Sequence, residues 1–356
     1  MLGGSKTLVG VDIGATSIKV CQLKESRRGQ LSLTRFGFQP LEPQTIVDRH
    51  VMNAGALVES LNRTFSNARI RQKEVALSVS GQSVISRKIT VPIMTTAELD
   101  EQIQWEAENH IPFDIKDVYV DYEILRRRPE AGQMDLLLVA AKREEIDDYV
   151  QIAKQARLKP LVVDIDAFTI QNVFEYNRGL PPDQTFAIIN VGASQASINI
   201  ISRGTSAFTR DIASGGNYLT EQIVKQIGIP YEQAEELKIQ AAYAQTAGAV
   251  PPGVAQVIDQ VCDTIAGEIQ RSLDFFLATS GEEQISRVFL TGGTANLAQL
   301  AQAVERRSRV VAEVIQPLER IGIEGKDVDT QLLGQRAAQI SVALGLAMRK
   351  TKEKRQ

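Results

Sequence analysis

Cysteine and histidine are scarce: the 356-residue chain has two of each, Cys21, Cys262, His50 and His110. They form no CxxC and no Cys/His ligand spacing, so neither a zinc centre nor a Cys–His nucleophile is supported, and a reducing compartment fits. Charge of one sign is missing as well. Forty basic against forty-three acidic side chains leave a net charge of −3, so no overall basic field recruits nucleic acid. No stretch approaches the roughly 20 apolar residues that cross a bilayer. The longest strongly apolar run, residues 136–141, has the length of a buried strand. Residues 1–6 lack the apolar core of a signal peptide, and a cytoplasmic protein is expected. Absent too are a P-loop GxxxxGK[ST], a GxGxxG after the first strand and a GxSxG elbow.

What is present is a repeat. The segment Val11-Asp12-Ile13-Gly14-Ala15-Thr16-Ser17-Ile18-Lys19-Val20 aligns without gaps with Ile189-Asn190-Val191-Gly192-Ala193-Ser194-Gln195-Ala196-Ser197-Ile198. The offset, from Asp12 to Asn190, is 178 residues, half of the chain. Each copy runs from a short apolar stretch into a Gly-Ala turn and then alternates apolar and polar positions. That pattern is a buried strand, a tight turn and a second strand pairing back. Third strands are predicted over 31–38 and 205–212, and helices over 54–61 and 218–227, the second opened by Gly215-Gly216-Asn217. Two similar α/β halves predict a cleft between duplicated domains.

Beyond these shared elements the halves differ. Residues 78–142 predict an inserted α+β module: a strand over 83–91, a helix from Thr96, and strands over 119–125 and 134–141 about a polar turn at 126–132. Thr95 and Glu98 have the spacing of a capping box. The second half instead has helical blocks over 231–244 and 254–279. Trp105, Phe113 and Tyr119 are read as core residues, with a binding groove as their alternative. Asp164 and Asp166, after a strand over 161–163, are read as helix-start acids, with the positioning of water near a phosphate as the alternative.

Three turns carry chemistry. The turn at residues 12–17 offers backbone amides that can ring a phosphate. Gly14 removes the Cβ that would block close approach; Ala15 and Thr16 complete the turn, Ser17 adds a hydroxyl and Lys19 a cation. Asp12, at the strand end, could hold magnesium through water. The second copy supplies an opposing turn through Gly192 and Ser194. There Asn190 offers a neutral amide, a weaker metal partner than a carboxylate. Residues 288–297 run from an apolar strand into Gly292-Gly293-Thr294 and then a helix, so that backbone can press against a flat adenine or ribose. An ordinary glycine turn explains any one of these. The three in this order are far more specific.

Together the two phosphate turns and Thr291-Gly292-Gly293 resemble the actin-like ATPase superfamily of actin, Hsp70, sugar kinases and FtsA. Within the FtsA-like branch the chain resembles the PilM family of type IV pilus assembly proteins. The stretches that carry this are Val9-Gly10-Val11-Asp12-Ile13-Gly14, Trp105-Glu106-Ala107-Glu108-Asn109-His110-Ile111-Pro112-Phe113, Val163-Asp164-Ile165-Asp166-Ala167-Phe168, Gly215-Gly216-Asn217 and Ala234-Glu235-Glu236-Leu237-Lys238. The resemblance implies an α/β fold of duplicated actin-like (ribonuclease H-like) domains with an FtsA-like inserted α+β subdomain. Its divisions are 1–77 and 143–180 for the first core, 78–142 for the insertion, 181–214 and 281–349 for the second core, 215–280 for a helical subdomain and 350–356 for a basic tail. It also implies ATP and Mg2+ in the central cleft. Asp12 would serve the metal; Gly14, Ser17 and Lys19 the phosphates; Gly192 and Ser194 the second phosphate turn. Gly215 and Gly216 would border the phosphates or ribose, Glu235 and Lys238 the ribose and base, and Gly292, Gly293 and Thr294 the adenosine. Asn190 stands where the superfamily usually has aspartate. That implies an assembly protein with at most weak ATPase activity, not an enzyme.

The implied partners are the cytoplasmic N-terminal segment of PilN, an inner-membrane protein, held in a groove beside the insertion, and further pilus platform and motor proteins. Membrane association would be indirect, through PilN, and the role would be pilus biogenesis and twitching motility. Two alternatives remain at this level. A small-molecule kinase of the sugar or acetate type needs a carboxylate base, which Asn190 disfavours. An FtsA-like membrane-tethered filament would use residues 340–348 and the basic 349–355. Gly345 and the neighbouring alanines instead favour packing against the nucleotide cleft, with 349–355 a solvated tail.

Overall fold

The computed structural model describes residues 6–47, 49–243, 250–325 and 327–351. In the first half Val9–Ile13 pairs antiparallel with Ser17–Glu25, which pairs with Leu31–Pro40. Glu74–Val79 lies parallel to Val9–Ile13, and Lys159–Ile165 parallel to Glu74–Val79. In the second half the same five places are taken by Thr185–Val191, Ala196–Ser202, Thr205–Ile212, Val288–Thr291 and Ala312–Val314. The repeated segment dictates this. Asp12 faces Lys19 across the first hairpin as Asn190 faces Ser197 across the second. The Gly14 amide donates to the Ser17 carbonyl at 3.1 Å, as Gly192 does to Gln195 at 2.9 Å. The predicted helices form over Ala54–Asn67 and Gly216–Ile227.

Helices cover the sheets and bury the strands' apolar faces. Val9, Val11, Ile18 and Val20 pack with Leu57 and Leu61. Ile189, Val191, Ile198 and Ile200 pack beneath helices Gly216–Ile227, Pro252–Ser280 and Ala298–Ser308. An apolar seam joins the halves. At its centre are Phe174, Phe186 and Phe289, with ring centroids 5.1, 4.6 and 5.5 Å apart, flanked by Leu8, Ile188 and Leu346.

The insertion is a three-stranded antiparallel sheet, Val84–Pro92, Gln133–Lys142 and Val118–Arg128 in that order. Helix Thr96–His110 lies on it through Leu99, Ile103 and Ala107. The capping box forms: Thr95 N–H donates to Glu98 at 2.7 Å, and Glu98 N–H donates to Thr95 Oγ1 at 3.3 Å. Two expectations need correction. Residues 126–128 belong to the strand and not to the turn, because Arg128 reaches Asp135 across the ladder at 2.7 Å. Trp105 and Tyr119 are not core residues; they are 72 % and 41 % exposed. Trp105 lies off the stripe that Leu99, Ile103 and Ala107 draw at a spacing of four. Phe113 is half-buried, with the Lys142 ammonium 5.2 Å from its ring.

The C-terminal segment also departs from expectation. Gly322–Ile323 adds to the first sheet beside Leu31–Pro40. Helix Ser341–Met348 is buried from Ser341 to Ala347, wedged between strand Val9–Ile13 and helix Asp166–Arg178. It is not a surface helix for a membrane; it packs between that strand and that helix, and Ser341 reaches the end of strand Val288–Thr291 with a hydrogen bond of 2.7 Å to Thr291. These segments therefore complete the first half, although the boundaries drawn from sequence assign them to the second core. Arg349 and Lys350, expected in a solvated tail, pair with Asp164 at 2.7 Å and Glu25 at 2.8 Å; residues 352–356 lie outside the described residues. No helix among the described residues is long and apolar enough to cross a membrane.

Candidate functional site

Parallel strands deliver their successors to one end of a sheet, where α/β folds bind ligands. Gly14 follows Val9–Ile13, Ser80 follows Glu74–Val79, and Asp166 follows Lys159–Ile165. Gly192 and Gly292 follow Thr185–Val191 and Val288–Thr291.

At the first turn Lys19 Nζ lies 3.3 Å from Asp12 Oδ2, with both side chains nearly buried. The ammonium also donates to the Ser17 carbonyl at 3.4 Å. A Cβ on Gly14 would stand 3.0 Å from that ammonium, so glycine makes room for the cation beside the turn. Burial raises the Asp12 pKa despite Lys19, leaving a carboxylate that a further cation would relieve. Among the described residues the amides of Ala15 and Thr16 donate no hydrogen bond, and those of Ala193 and Ser194 in the second turn donate none either. Each turn thus presents two adjacent free donors, the arrangement that holds an anion.

The second turn is braced by the other residues singled out from sequence. Gly216 N–H and Thr294 Oγ1 both donate to Gly192 O, at 2.9 Å each, and Asn217 N–H donates to Ala193 O at 2.7 Å. Lys238 Nζ donates to Gly216 O at 3.1 Å, to Thr220 Oγ1 at 2.9 Å and to Glu235 at 2.6 Å. Burial lowers the Lys238 pKa against the pull of Glu235. Gly292, at φ +93°, backs onto Val191 and Asn190. The structure therefore brings Gly192, Gly215, Gly216, Glu235, Lys238, Gly292 and Thr294 together. Lys238→Met is expected to cost about 1–3 kcal/mol of stability, because Glu235 and Thr220 lose their shared donor. A lower urea midpoint with an unchanged slope would register it.

Arg49, Ser80, Gln195 and Asp211 also belong to this site and were not found from the sequence; Asp166 was found only as the lesser of two readings. Ser80 Oγ is their node. It donates to Asp166 at 2.6 Å and accepts from Arg49 Nη1 at 2.8 Å and from Gln195 Nε2 at 3.2 Å. Asp211 accepts from Gly81 N–H at 3.0 Å and from the Ser197 hydroxyl; burial raises its pKa. Asp166 and Arg49 both act electrostatically on Asp12. The two turns therefore face a common polar space, linked through Gln195, Ser80 and Asp166. Asp166 opens its helix as expected, whereas Asp164 lies within the strand and holds Arg349. The signal available in the sequence was position: Ser80 and Asp166 each fall just past the end of an apolar strand.

A separate groove of about 270 Å³ lies between the insertion and the first sheet, lined by Val79, Tyr119, Val120, Val139, Ile146 and Ile165 among others. Two of the strands that line it, Val118–Arg128 and Lys159–Ile165, stand at sheet edges.

Two sheets of one strand order, joined at a seam and facing each other through glycine turns, define the actin-like ATPase fold. Solved structures agree. The chain is similar to the ethanolamine utilization protein EutJ from Carboxydothermus hydrogenoformans, at 12% identity and TM-score 0.58 over 98% of this chain and 90% of that one. It is similar to MreB5 of Spiroplasma citri bound to ADP, at 12% identity and TM-score 0.53 over 96% and 94%. Residues 10–351 match the family described as type IV pilus assembly protein PilM, and the chain belongs to that family. It is also similar to the solved PilM–PilN type IV pilus biogenesis complex, at 26% identity and TM-score 0.84 over 98% of this chain and 99% of that one.

Proposed function

We propose that this chain is a nucleotide-binding assembly component of the type IV pilus machinery that holds an extended segment of PilN in the groove beside its insertion. The observation that supports nucleotide binding is the pair of free amides in each of two facing turns, with the Lys19 ammonium beside the first of them and paired with a nearly buried carboxylate. The residues present fit a magnesium–triphosphate. The amides of Ala15, Thr16, Ala193 and Ser194 and the Lys19 ammonium would hold phosphate oxygens. Asp12 would hold Mg2+, which would offset phosphate charge beside the carboxylates. Glu235 and Lys238 would border the ribose, with the backbone of Gly292, Gly293 and Thr294 against the base. Asn190, facing Ser197 where the first copy has Asp12 facing Lys19, fits a binder with at most weak hydrolysis.

The groove suits an extended peptide, because edge strands supply main-chain partners and the apolar lining takes alternate side chains. The solved complex of a 26% identical relative with PilN supports the occupant. The protein would sit in the cytoplasm, reaching the inner membrane, the platform and the motor through PilN, in support of pilus biogenesis and twitching motility. Titration of the PilN N-terminal peptide, with and without Mg-ATP, tests this reading. Saturable binding that changes with ATP is expected, since a nucleotide acts on the groove only by binding one state better. Absence of binding would remove the partner, and equal affinities would remove the coupling. Ile146→Glu places a charge in the lining and is expected to weaken peptide binding at least about tenfold, a change of ~1.4 kcal/mol.

A further inference from the structure

We propose that Arg49 is the residue that distinguishes a nucleoside triphosphate from a diphosphate, and that its exchange between Glu145 and the terminal phosphate loosens the root of the inserted module. This rests on the nucleotide reading above and names the regulation of that site. Arg49 reaches the polar space between the turns at Ser80, which in turn meets Gln195 of the second turn. Arg49 Nε and Nη2 donate to Glu145 Oε1 at 2.9 and 2.6 Å, and its Nη1 to Ser80 Oγ at 2.8 Å. Its backbone is left-handed, at φ 69°. Gly81 is bare where a Cβ would meet the Arg49 stem at 2.9 Å. The guanidinium is thus carried to this point by specific local structure.

Two features make it a reader of the last phosphate. Lys19 and Arg49 both act electrostatically on Asp12. Lys19 belongs to the first turn, and Arg49 approaches from the side of Ser80. The adenosine-side residues Gly216 and Thr294 meet the second turn at Gly192, whereas Ser80 meets it at Gln195, the other end of that turn. A phosphate chain running away from the adenosine side therefore approaches Arg49 with its terminal group. A guanidinium takes two phosphate oxygens as readily as it takes a carboxylate.

The consequence lies in what Glu145 does meanwhile. Glu145 stands in helix Arg143–Gln155, at the point where the chain leaves the module. Its other oxygen accepts from Ser83, where the chain enters the module, and Ser83 O accepts from Lys142 N–H at 2.9 Å. Arg49 thus clamps the two crossings. Ile146, the next residue, lines the groove, so releasing the clamp reaches the peptide site directly.

Calorimetric titration of the full chain with Mg-ATP and Mg-ADP, for the parent, Arg49→Gln, Arg49→Lys and Glu145→Gln, tests this, together with hydrogen exchange over 79–84 and 142–149. Arg49→Gln is expected to weaken ATP about tenfold and ADP less than about twofold, with Arg49→Lys between. Glu145→Gln frees the guanidinium and is expected to tighten ATP relative to ADP. In the parent, ATP is expected to speed exchange in both segments relative to ADP, a difference that Arg49→Gln abolishes. An unchanged ATP-to-ADP ratio in both Arg49 variants, or a nucleotide-dependent exchange difference that survives them, overturns the assignment while leaving nucleotide binding intact. A parent that binds neither nucleotide overturns the reading beneath it.

Discussion

Gly345→Ala is expected to destabilise the chain by about 3–5 kcal/mol, the range of severe single substitutions. A Cβ at this position would stand 2.0 Å from the Thr169 carbonyl oxygen, inside any allowed contact. Helices relieve such clashes by sliding away, but this one has nowhere to go. On its other side a Cβ on Gly10 would stand 2.0 Å from Ala343 O, so backbone already presses on backbone across both faces. The helix also lends Val342 and Leu346 to the seam joining the halves, and displacement would open cavities there. At roughly 1–2 °C per kcal/mol for a chain of this length, the thermal midpoint should fall by about 5 °C. A fall within the error of the parent would mean that the helix is not wedged as described.

Lys19→Ala is expected to weaken ATP binding by about ten- to a hundredfold, the loss of one charge-assisted phosphate contact of ~1.5–3 kcal/mol. Asp12→Ala removes the carboxylate proposed to hold Mg2+ and should lower Mg-ATP affinity in the same range. Both single variants also disturb the folded chain, because each strands one half of a nearly buried ion pair. The double variant Asp12→Asn with Lys19→Met separates the two effects. It removes both charges together, so thermal stability returns toward that of the parent while ATP affinity does not. If affinity returns along with stability, the turn acts on the fold and not on the phosphate.

The parts of this molecule that lie close in the chain were legible before the structure. The hairpins, their third strands and the Thr95–Glu98 capping box follow from alternation and from side chains a few positions apart. The repeat predicted both hairpins and their turns; that Asp12 faces Lys19 and Asn190 faces Ser197 is the register those turns set. What joined distant segments was not legible. Arg49, Ser80, Asp166, Gln195 and Asp211 come from separate stretches: parallel pairing of Val9–Ile13, Glu74–Val79 and Lys159–Ile165 brings Ser80 and Asp166 beside the first turn, and Arg49, Gln195 and Asp211 meet them at Ser80 and Gly81 from elsewhere in the chain. Gly345 announced a close backbone approach, but nothing local said that its partner was Thr169. Trp105 is a different case. Its position off the Leu99–Ile103–Ala107 stripe is visible in the helical period, which places it on the exposed face despite its large apolar ring.

The facing turns are the centre of the whole reading, and a crystal of the chain grown with magnesium and a non-hydrolysable ATP analogue tests them most directly. The expected result is density for the phosphates between the amides of Ala15 and Thr16 on one side and Ala193 and Ser194 on the other, with the base toward Gly292 and Gly293. An analogue bound away from either turn, or a cleft that stays closed to it at saturating concentration, would contradict that reading.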